Sequence, residues 1–473
     1  MPAIPSIARD MTVLGLDIGT NLIKVVEMRS SRGSLQLLNV GIRPTPPEVI
    51  ANGVIVDPAA LGTAIRGLLQ AQGIRTREAV ASVAGQSSLV VRPIEVPKMS
   101  RPELADTMRW EVERHIPFAA SEVIMDYQPL AEPEELPEER QNMEVLLAVA
   151  QEDMINAYLA TFQVAGLRPR ALDIEGLAAT RSLVDVRADD GLYDETIALV
   201  NVGATTTDIS IIRDGLLSFN RPVPMAGDSL TNAISENLGR DLAEAERLKK
   251  EAGMVILGER PAAAMPPPAE TEIEMPETPQ APAEAGEEAP AAAEGAAAEP
   301  VFDLSAELDD VPARREAAPV PEQIFDFPQP PEPTAAEPPP EAQAAEEQPL
   351  EQAPAESFPA PSIELSTHAV TRRVYEAMLP ALSELVAEIR RSLEYYRSRY
   401  PDSSVDRIVL FGGTAKLENL APFISNEIGI RVDLGDPLIK LDFLPPFYRK
   451  QYLDEVGCLL PIAVGLAIRD ILE

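Results

Sequence analysis

The sequence predicts an α/β protein that consists of two related halves and is interrupted by a long disordered acidic insertion. Apolar strand patterns alternate with helical ones along most of the 473 residues, which is typical of α/β folds. A strand that runs into a glycine turn and a hairpin occurs twice, at 12–41 and 197–223. Two structurally related halves explain this repetition most simply. Residues 261–361, which follow the second occurrence, have a composition that is incompatible with a packed core.

Three short apolar runs with β-branched residues open the first half and predict a meander of strands at 12–19, 22–28 and 34–41. Leu and Ile at helical spacing then predict a helix over 57–72, and a strand follows at 78–84. The same criteria predict the next elements: helices near 101–115, 151–166 and 176–187, and strands near 123–130, 143–150 and 168–174.

The second half repeats the pattern, with strands predicted at three positions: 197–203, 207–212 and 216–223. After the insertion, apolar residues at steps of three or four over 363–396 predict a long amphipathic helix, which Pro380 should bend. A strand at 407–411 runs into two glycines, and a helix over 456–471 follows. Trp110, in the middle of an earlier helix, is predicted to be a core residue.

The insertion 261–361 holds 23 of the 46 prolines of the chain, together with 23 acidic and only 2 basic residues. Its apolar surface is too small to offset a conformational entropy cost of roughly 1–2 kcal/mol per residue, and we predict an extended, disordered segment. Two short apolar islands interrupt it, at 301–304 and 324–327. These islands are either incidental or a pair of docking motifs that fold on a partner.

The overall charge limits the possible partners. A net charge of −36 excludes a general electrostatic surface for nucleic acid or anionic lipid, because both are themselves negative. The residues outside the insertion carry only −15, so this exclusion is weaker for them. One Cys and two His exclude a disulfide framework and a Cys/His metal cluster. Neither a secretory signal nor a long apolar run is present in the sequence, which favours a cytoplasmic protein.

Two glycine turns that follow strands carry groups suited to a phosphate and a metal ion. In the first, 17–21, the backbone N–H groups can bind a phosphate, while the carboxylate of Asp17 holds a metal-bound water. The second, 201–208, offers another set of amides together with three threonine hydroxyls and the carboxylate of Asp208. Either turn alone could also be a plain hairpin turn.

A third turn, formed by Gly412, Gly413 and Thr414, has no bulky side chain that would prevent a flat ring from lying against its backbone. Glu246 and Lys249 lie three residues apart on one helical face, which alone would equally suit a surface ion pair. These four weak signals occur in one fixed order along the chain. Their combination predicts a nucleotide cleft between two lobes.

That order of segments resembles the actin-like ATPase superfamily, with its phosphate-one, connecting, phosphate-two and adenosine segments. Within it, the chain resembles the PilM family of type IV pilus assembly proteins, which is similar to the cell-division protein FtsA. Three further segments carry this resemblance: 108–118, 123–130 and 225–231. The resemblance covers about 12–260 and 363–473. It implies a two-lobed actin-like fold with a small inserted subdomain.

The resemblance also implies roles for individual residues in binding ATP and Mg²⁺. Mg²⁺ would be held through water by Asp17 and Asp208, and Glu175 would position a water molecule. One group of residues would contact the phosphates: Gly19, Thr20, Asn21, Lys24, Gly203, Ala204, Thr205 and Thr206. A second group would border the phosphates or ribose, then the ribose and base, then the adenine: Gly227, Asp228, Glu246, Lys249, Gly412, Gly413 and Thr414.

Two positions depart from the pattern of the superfamily. Asn201 stands where many members have Asp, and an amide can neither carry charge nor accept a proton as a base. Thr414 stands where a third Gly is common. The first departure argues against rapid hydrolysis, and neither prevents nucleotide binding.

The predicted domain organisation follows the chain in seven segments. They are a flexible N-terminus (1–11), the first core subdomain (12–85), the small inserted subdomain (86–165), the return to the first core subdomain (166–195), the first part of the second lobe (196–260), the disordered insertion (261–361), and the rest of the second lobe with a closing helix (362–473).

Together with the predicted nucleotide cleft, the resemblance implies a cytoplasmic ATP-binding scaffold of the type IV pilus inner-membrane assembly platform. The resemblance implies that its partner is the cytoplasmic N-terminal tail of PilN, docked between the first core subdomain and the inserted subdomain. Through PilN the chain would reach the PilN/PilO complex and the inner membrane. A slow catalytic ATPase and an FtsA-like filament-forming protein are the alternatives. A sugar kinase is disfavoured, because no further carboxylate suits the general base it needs.

Overall fold

The computed structural model describes residues 11–31, 34–85, 88–131, 141–186, 191–258, 363–439, 441 and 448–472. Its elements up to residue 183 are β1 (Thr12–Ile18), β2 (Leu22–Ser31), β3 (Ser34–Pro44), β4 (Ile50–Ala51), β5 (Val54–Ile55), α1 (Pro58–Ala71), β6 (Glu78–Val83), β7 (Leu89–Pro97), α2 (Arg101–His115), β8 (Val123–Pro129), β9 (Asn142–Gln151), α3 (Glu152–Ala165), β10 (Arg168–Ile174) and α4 (Glu175–Leu183).

The elements that follow are β11 (Ile197–Val202), β12 (Thr207–Arg213), β13 (Leu216–Val223), α5 (Gly227–Leu238), α6 (Leu242–Ala252), α7 (Ile363–Arg399), β14 (Arg407–Phe411), α8 (Leu420–Ile428), β15 (Arg431–Leu434), α9 (Lys450–Val456) and α10 (Pro461–Ala467). The predicted insertion 261–361, with its two islands, lies outside the described residues, and so do the first ten residues of the predicted N-terminal segment.

The predicted strands of both repeats are confirmed, and so is the long helix, which continues through Pro380 to Arg399. Several elements are not among the predicted ones, namely β4, β5, β7, α5, α8, α9 and β15. The predicted single helix 456–471 is wrong, because α9 ends at Val456 and α10 begins only at Pro461. A proline has no N–H to donate to the preceding turn, so it starts a new helix more readily than it continues one.

The two main sheets have the same topology. Read from the hairpin edge, the first has the order β3-β2-β1-β6-β10, and the second has the order β13-β12-β11-β14-β15. The central strand of each sheet, β1 or β11, pairs antiparallel with the next strand of its hairpin, β2 or β12. On its other side it pairs parallel with a strand that returns from a crossover, β6 or β14. The repetition predicted from the sequence therefore reflects two lobes of one design, each with its glycine turn after the central strand.

Each sheet packs its own hydrophobic core against helices. In the first lobe, Leu16, Ile65 and Phe162 are fully buried between the sheet and the helices α1 and α3. In the second lobe, Ile209 and Leu382 are fully buried between the sheet and α7. Burial of each such side chain contributes about 1.5–3 kcal/mol, which fixes the strands and thereby the turns at their ends.

A separate three-stranded sheet with the order β7-β9-β8 forms the centre of the predicted inserted subdomain. Its face packs against α2 through Leu104 and Met108, which are both buried. The prediction that Trp110 is a core residue is wrong, since its side chain is 74% exposed. Trp110 follows Met108 by two positions, or about 200° around the helix, and so points away from the sheet.

The helix α3 directly follows β9 and returns the chain to the first lobe. Its buried side chains Met154, Tyr158 and Phe162 belong to the first-lobe core together with those of α1. The predicted inserted subdomain, 86–165, includes this helix. Because its apolar face packs on the first lobe, we propose that the inserted subdomain ends at Gln151.

The helix α10 closes the first lobe by close backbone contact. A Cβ atom on Gly465 would lie 1.7 Å from the carbonyl oxygen of Ala178 in α4, and one on Gly15 would lie 1.9 Å from that of Ala463. Both positions therefore require glycine. Every residue of α10 is buried, but it has only seven residues. Across the described ranges, no helix has both the length and the apolar character needed to cross a membrane.

Candidate functional site

The first glycine turn joins β1 to β2 in the first lobe. The N–H of Gly19 donates to the carbonyl of Leu22 at 3.1 Å, which closes the turn. The strand register places Asp17 opposite Lys24, and the Lys24 Nζ lies 2.5 Å from the Asp17 Oδ2. Asp17 is buried, with 2% of its surface exposed, so its carboxylate is compensated by the ammonium rather than by water.

The second turn joins β11 to β12 in the second lobe and has the same backbone hydrogen bond. The N–H of Gly203 donates to the carbonyl of Thr206 at 2.9 Å. The register here places Asn201 opposite Asp208. No ammonium faces this carboxylate in the register, and its hydrogen bond comes from the hydroxyl of Thr206, with 3.4 Å between the oxygens.

The two turns face each other across a cleft. The hydroxyl oxygens of Thr20 and Thr205 are 3.4 Å apart, although the residues are 185 positions apart in the sequence. The cleft has a volume of about 1130 Å³. Backbone amides and hydroxyls from both lobes thus border one space, which is the arrangement that binds phosphate groups elsewhere.

A half-buried acid, Glu175, lies beneath the two turns at the start of α4. The side-chain amide of Asn201 donates to the Glu175 Oε2 at 3.4 Å. Burial raises the pKa of Glu175 well above its ordinary value. The negative charges of Asp208 and Asp17 raise it further, whereas the ammonium of Lys24 and the amide hydrogen bond lower it. Glu175 therefore holds its proton more firmly than an exposed glutamate does.

The carboxyl group of Asp208 has a similar environment. Burial raises the pKa of Asp208 to about 6, and the hydrogen bond from Thr206 opposes this shift only in part. A buried carboxylate without an opposing positive charge is costly, and either a proton or a bound cation removes the cost. The second turn is thus the place in the cleft where a cation would be most favourable.

The third glycine turn, after β14, packs on the second one. Gly412 has a φ of +96°, and its N–H donates to the carbonyl of Cys458 at 2.8 Å. A Cβ atom at this position would lie 2.5 Å from the Asn201 Oδ1. The hydroxyl of Thr414 donates to the carbonyl of Gly203 at 2.7 Å. No atom lies within 4 Å of a Cβ atom built on Gly413, so this face of the turn is open.

The helices α5 and α6 form the remaining wall. The N–H of Asp228, at the start of α5, donates to the carbonyl of Ala204 at 2.8 Å. The Nζ of Lys249 donates to the carbonyl of Gly227 at 2.9 Å and lies 2.6 Å from the Glu246 Oε2. Burial raises the pKa of Asp228. These contacts attach α5 and α6 to the second turn.

The pKa of Glu246 is shifted in the opposite direction to the pKa values of Glu175, Asp208 and Asp228. Burial alone would raise it, but the hydrogen bonds from Lys249, Thr231 and Lys250 outweigh this effect and lower it. Glu246 is therefore a fixed negative charge at neutral pH. Its two lysine partners lie three and four residues later on the same helix.

The structure brings all the residues predicted to form a site into this one cleft, although their individual roles stay predictions. They are Asp17, Gly19, Thr20, Asn21, Lys24, Glu175, Gly203, Ala204, Thr205, Thr206, Asp208, Gly227, Asp228, Glu246, Lys249, Gly412, Gly413 and Thr414. Three further lining residues with titratable side chains are not among the predicted ones: Tyr158, Lys250 and Lys416. The spacing of Glu246 and Lys250 on one helix could have indicated the second, whereas no sequence signal points to Tyr158.

The described residues contain no preformed site in which three or more His, Cys, Asp or Glu side chains could hold a metal ion. Asp17 and Asp208 instead come one from each turn, and Asp17 is already paired with Lys24. Oxygen ligands of this kind suit Mg²⁺, which usually keeps several waters and binds through one or two carboxylates together with phosphates. The two carboxylates therefore fit the ion only in combination with a phosphate ligand.

Comparison with known proteins identifies relatives of both halves of the chain. The family model of the type IV pilus assembly protein PilM matches residues 15–256, and that of the cell division protein FtsA matches residues 198–450. A solved structure, a PilM-PilN type IV pilus biogenesis complex, is similar with a TM-score of 0.67 and 23% identity, and the match covers 98% of this chain and 99% of that one. This similarity supports the two-lobed actin-like fold.

Curated relatives match only about half of this chain. The cell division protein FtsA of Bacillus subtilis is 26% identical over 259 residues, which cover 51% of this chain and 58% of the relative. FtsA of Streptococcus pneumoniae is 27% identical over 266 residues, or 52% of this chain and 57% of the relative. The chain thus matches less than two thirds of the length of these relatives. Because the PilM model covers just over half of its residues, the chain belongs to the type IV pilus assembly protein PilM family.

Proposed function

We propose that the chain is an ATP-binding scaffold of the type IV pilus inner-membrane assembly platform. The observation that carries this proposal is the pair of facing turns, whose threonine hydroxyls lie 3.4 Å apart across the cleft. A chain of phosphates between them would accept hydrogen bonds from the amides and hydroxyls of both lobes. Binding would thereby favour one relative position of the lobes.

Individual residues would contribute to ATP binding in different ways. Lys24 would offer its positive charge to the phosphates, and Asp17 and Asp208 would hold Mg²⁺ through water. Mg²⁺, when bound, would offset the negative charge of the phosphates and of the buried acids. The open face beside Gly413 leaves room for a flat base.

The test is ATP binding by wild type and by Asp17→Ala in the presence of Mg²⁺. We expect the affinity to fall at least about tenfold in the variant, since the cation loses a carboxylate and the Lys24 ammonium loses its partner. Asp214→Ala is a suitable control, because this aspartate is 67% exposed in the turn after β12. Equal affinity of wild type and Asp17→Ala would contradict the proposed site.

The proposed partner is the cytoplasmic N-terminal tail of PilN, docked between the first core subdomain and the inserted subdomain. The similarity to a PilM-PilN complex along nearly the whole chain supports this choice. Contact with the PilN/PilO complex and peripheral recruitment to the inner membrane would follow from it. A calorimetric titration with the tail peptide should show saturable binding with ATP and Mg²⁺ present, and a flat titration would contradict the proposal.

Slow ATP hydrolysis is a second candidate function, and the position of Glu175 favours it. This acid lies beneath both turns, where a group that positions a water molecule would be needed. Asn201 beside it can neither carry charge nor accept a proton as a base, so we expect at most slow turnover. Single-turnover kinetics of wild type and Glu175→Gln would separate binding from hydrolysis. Unchanged binding with reduced turnover in the variant would support the candidate, and equal turnover would contradict it.

A further inference from the structure

The inserted sheet contacts the second lobe through one polar cluster outside the cleft. The hydroxyl of Tyr400, directly after α7, donates to the Glu144 Oε1 of β9 at 2.7 Å. The Nη2 of Arg213, at the end of β12, lies 3.8 Å from the Glu144 Oε2. The guanidinium of Arg213 also lies 4.3 Å from the centre of the Tyr400 ring. Two side chains of the second lobe thus meet at one carboxylate of the inserted sheet.

The carboxylate at the centre of this cluster is largely shielded from water, whereas the Arg213 side chain is 30% exposed. The Glu144 side chain is 9% exposed, so its carboxylate depends on its protein partners. Burial raises the pKa of Tyr400 to about 12, with Glu144 adding to the shift, so the hydroxyl stays a donor at physiological pH. Beside it, Val91 and Leu146 of the inserted sheet share one apolar cluster with Leu217 of the second lobe. Separation of the two parts would break polar and apolar contacts together.

Strand β9, which carries Glu144, leads to the cleft. β9 ends at Gln151 and α3 begins at Glu152, with no loop between them. Tyr158 of α3 lines the cleft and is only 2% exposed. The charge of Glu175 contributes to the raised pKa of Tyr158, which shows that the two groups are close. A continuous strand and helix therefore connect the acid beneath the turns with the carboxylate of Glu144.

We propose that Glu144, Tyr400 and Arg213 form an interlobe clasp that couples occupancy of the cleft to the position of the inserted sheet. Tyr400 and Arg213 belong to the second lobe, whereas β9 continues into a helix of the first-lobe core. A hydrogen bond of 2.7 Å survives only small displacements, so the clasp is formed in one relative position of the lobes and broken in others. The coupling rests on the proposed function in one respect, namely that ATP occupies the cleft.

The first test uses Tyr400→Phe, which removes only the hydroxyl, and measures amide hydrogen exchange by mass spectrometry without nucleotide. We expect exchange over 89–97 and 142–151 to be about tenfold faster than in wild type, because a hydrogen bond to a buried charge is lost. Tyr452→Phe is the matched control, since this tyrosine lies on α9, away from the inserted sheet, and is 37% exposed. Exchange in Tyr400→Phe as slow as in wild type would overturn the clasp.

A second variant, at the other partner of the hydrogen bond, guards against the case in which Tyr400→Phe fails to fold. Glu144→Gln keeps the shape and one acceptor oxygen but removes the charge, so it should accelerate exchange in the same two segments by a smaller factor. If exchange over 89–97 and 142–151 is unchanged in Glu144→Gln as well as in Tyr400→Phe, the clasp is overturned.

The second test adds ATP and Mg²⁺ and follows nucleotide binding in the same samples with a fluorescent analogue. In wild type, binding should change exchange over 142–151 by several fold, and this change should fall by more than half in Tyr400→Phe. Binding without any change in wild type would overturn the coupling. Absence of binding would contradict the proposed function, whereas the nucleotide-free comparison still decides for or against the clasp.

Discussion

The two turns that face each other across the cleft share their backbone and differ in their charges. Both are closed by one hydrogen bond, from Gly19 to Leu22 in the first lobe and from Gly203 to Thr206 in the second. The flanking strand positions match as well, but one pair is Asp17 with Lys24, and the other is Asn201 with Asp208. The first pair is neutral in sum, and the second carries one uncompensated negative charge.

This difference indicates what each turn needs. The carboxylate of Asp17 already has its ammonium at 2.5 Å, whereas burial raises the pKa of Asp208 to about 6. The amide of Asn201 donates a hydrogen bond to Glu175, where an aspartate would add a fourth carboxyl group to those of Glu175, Asp208 and Asp17. The charge of the first turn is therefore balanced without a ligand, whereas the second turn is stabilised by a bound cation or a proton. Four changes test this comparison.

The largest effect is expected for Gly412→Ala in the third turn, which disturbs the second turn but leaves the first unchanged. Its φ of +96° disfavours any other residue, and the new Cβ would lie 2.5 Å from the Asn201 Oδ1 and 2.6 Å from the Val202 carbonyl. We expect the free energy of unfolding to fall by about 3 kcal/mol, measured by urea denaturation. Gly413→Ala is the control, because that site is open and its φ is −61°. Equal stability of the two variants would show that the third turn does not support the second.

The next effect concerns pH and the acid of the second turn. The pKa of Asp208 is raised from 3.8 to about 6 on folding, so the folded state holds a proton that the unfolded state has released. Its contribution to stability is therefore present below about pH 4 and is lost as pH rises through about 6. At pH 8 without divalent cations, Asp208→Asn should be more stable than wild type by about 2 kcal/mol.

Chemical denaturation in EDTA at pH 4 and pH 8 measures this difference. The variant and wild type should differ little at pH 4, where the aspartate is protonated in the folded state. A difference of the same size at both pH values would show that the effect is unrelated to the charge of Asp208. Asp214→Asn, at an exposed position, should change stability at neither pH.

A smaller loss of stability is expected for Asn201→Asp, which places an aspartate at the position of the second turn that corresponds to Asp17 of the first. Asn201→Asp replaces a hydrogen-bond donor to Glu175 by a carboxylate, and repulsion should lower the free energy of unfolding by about 1–2 kcal/mol at pH 8. Addition of Mg²⁺ should recover part of the loss. Asn201→Ala loses the hydrogen bond without adding charge, so an equal loss in both variants, insensitive to Mg²⁺, would contradict an electrostatic cause.

The smallest effects should come from the hydroxyls at the tips of the turns. Thr20→Ala and Thr205→Ala each remove one group of the pair that meets at 3.4 Å. Both side chains are exposed, so stability should change by less than about 0.5 kcal/mol, whereas ATP affinity should fall by a few fold. Thr63→Ala, on the exposed side of α1, is the control. A loss of affinity in only one of the two would show that ATP contacts the turns unequally.

Local patterns predict much of this molecule. The strand, the glycine turn and the hairpin are encoded by neighbouring residues, so Asp17, Gly203 and Gly412 could be placed at strand ends from the sequence alone. The repetition of that pattern also predicts two lobes of one topology. Strand β7 is not predicted, since Pro93 interrupts its apolar pattern.

Features that depend on packing between distant residues could not be predicted. Glu144 and Tyr400 are 256 positions apart, and nothing in either neighbourhood indicates the other. Tyr158 lies in an ordinary amphipathic helix, and only the tertiary fold brings it to the cleft. Trp110 was predicted to be buried because of its residue type, but the face of a helix that packs is chosen by all its neighbours. Long-range contacts thus decide the parts of the site that lie behind the turns.

The contact between α10 and the first lobe has a consequence for folding. Strand β1 is met by the backbone of Ala463, and the hydroxyl of Tyr448 bonds to Val40 across 408 positions of sequence. Such contacts have a high contact order, and closure of a loop of this length must precede them. During synthesis the first lobe would therefore emerge early but stay incomplete until residue 467 has left the ribosome. Over that interval the apolar side chains of β2 and β3 that α10 covers would stay exposed, and such exposed apolar surface favours aggregation.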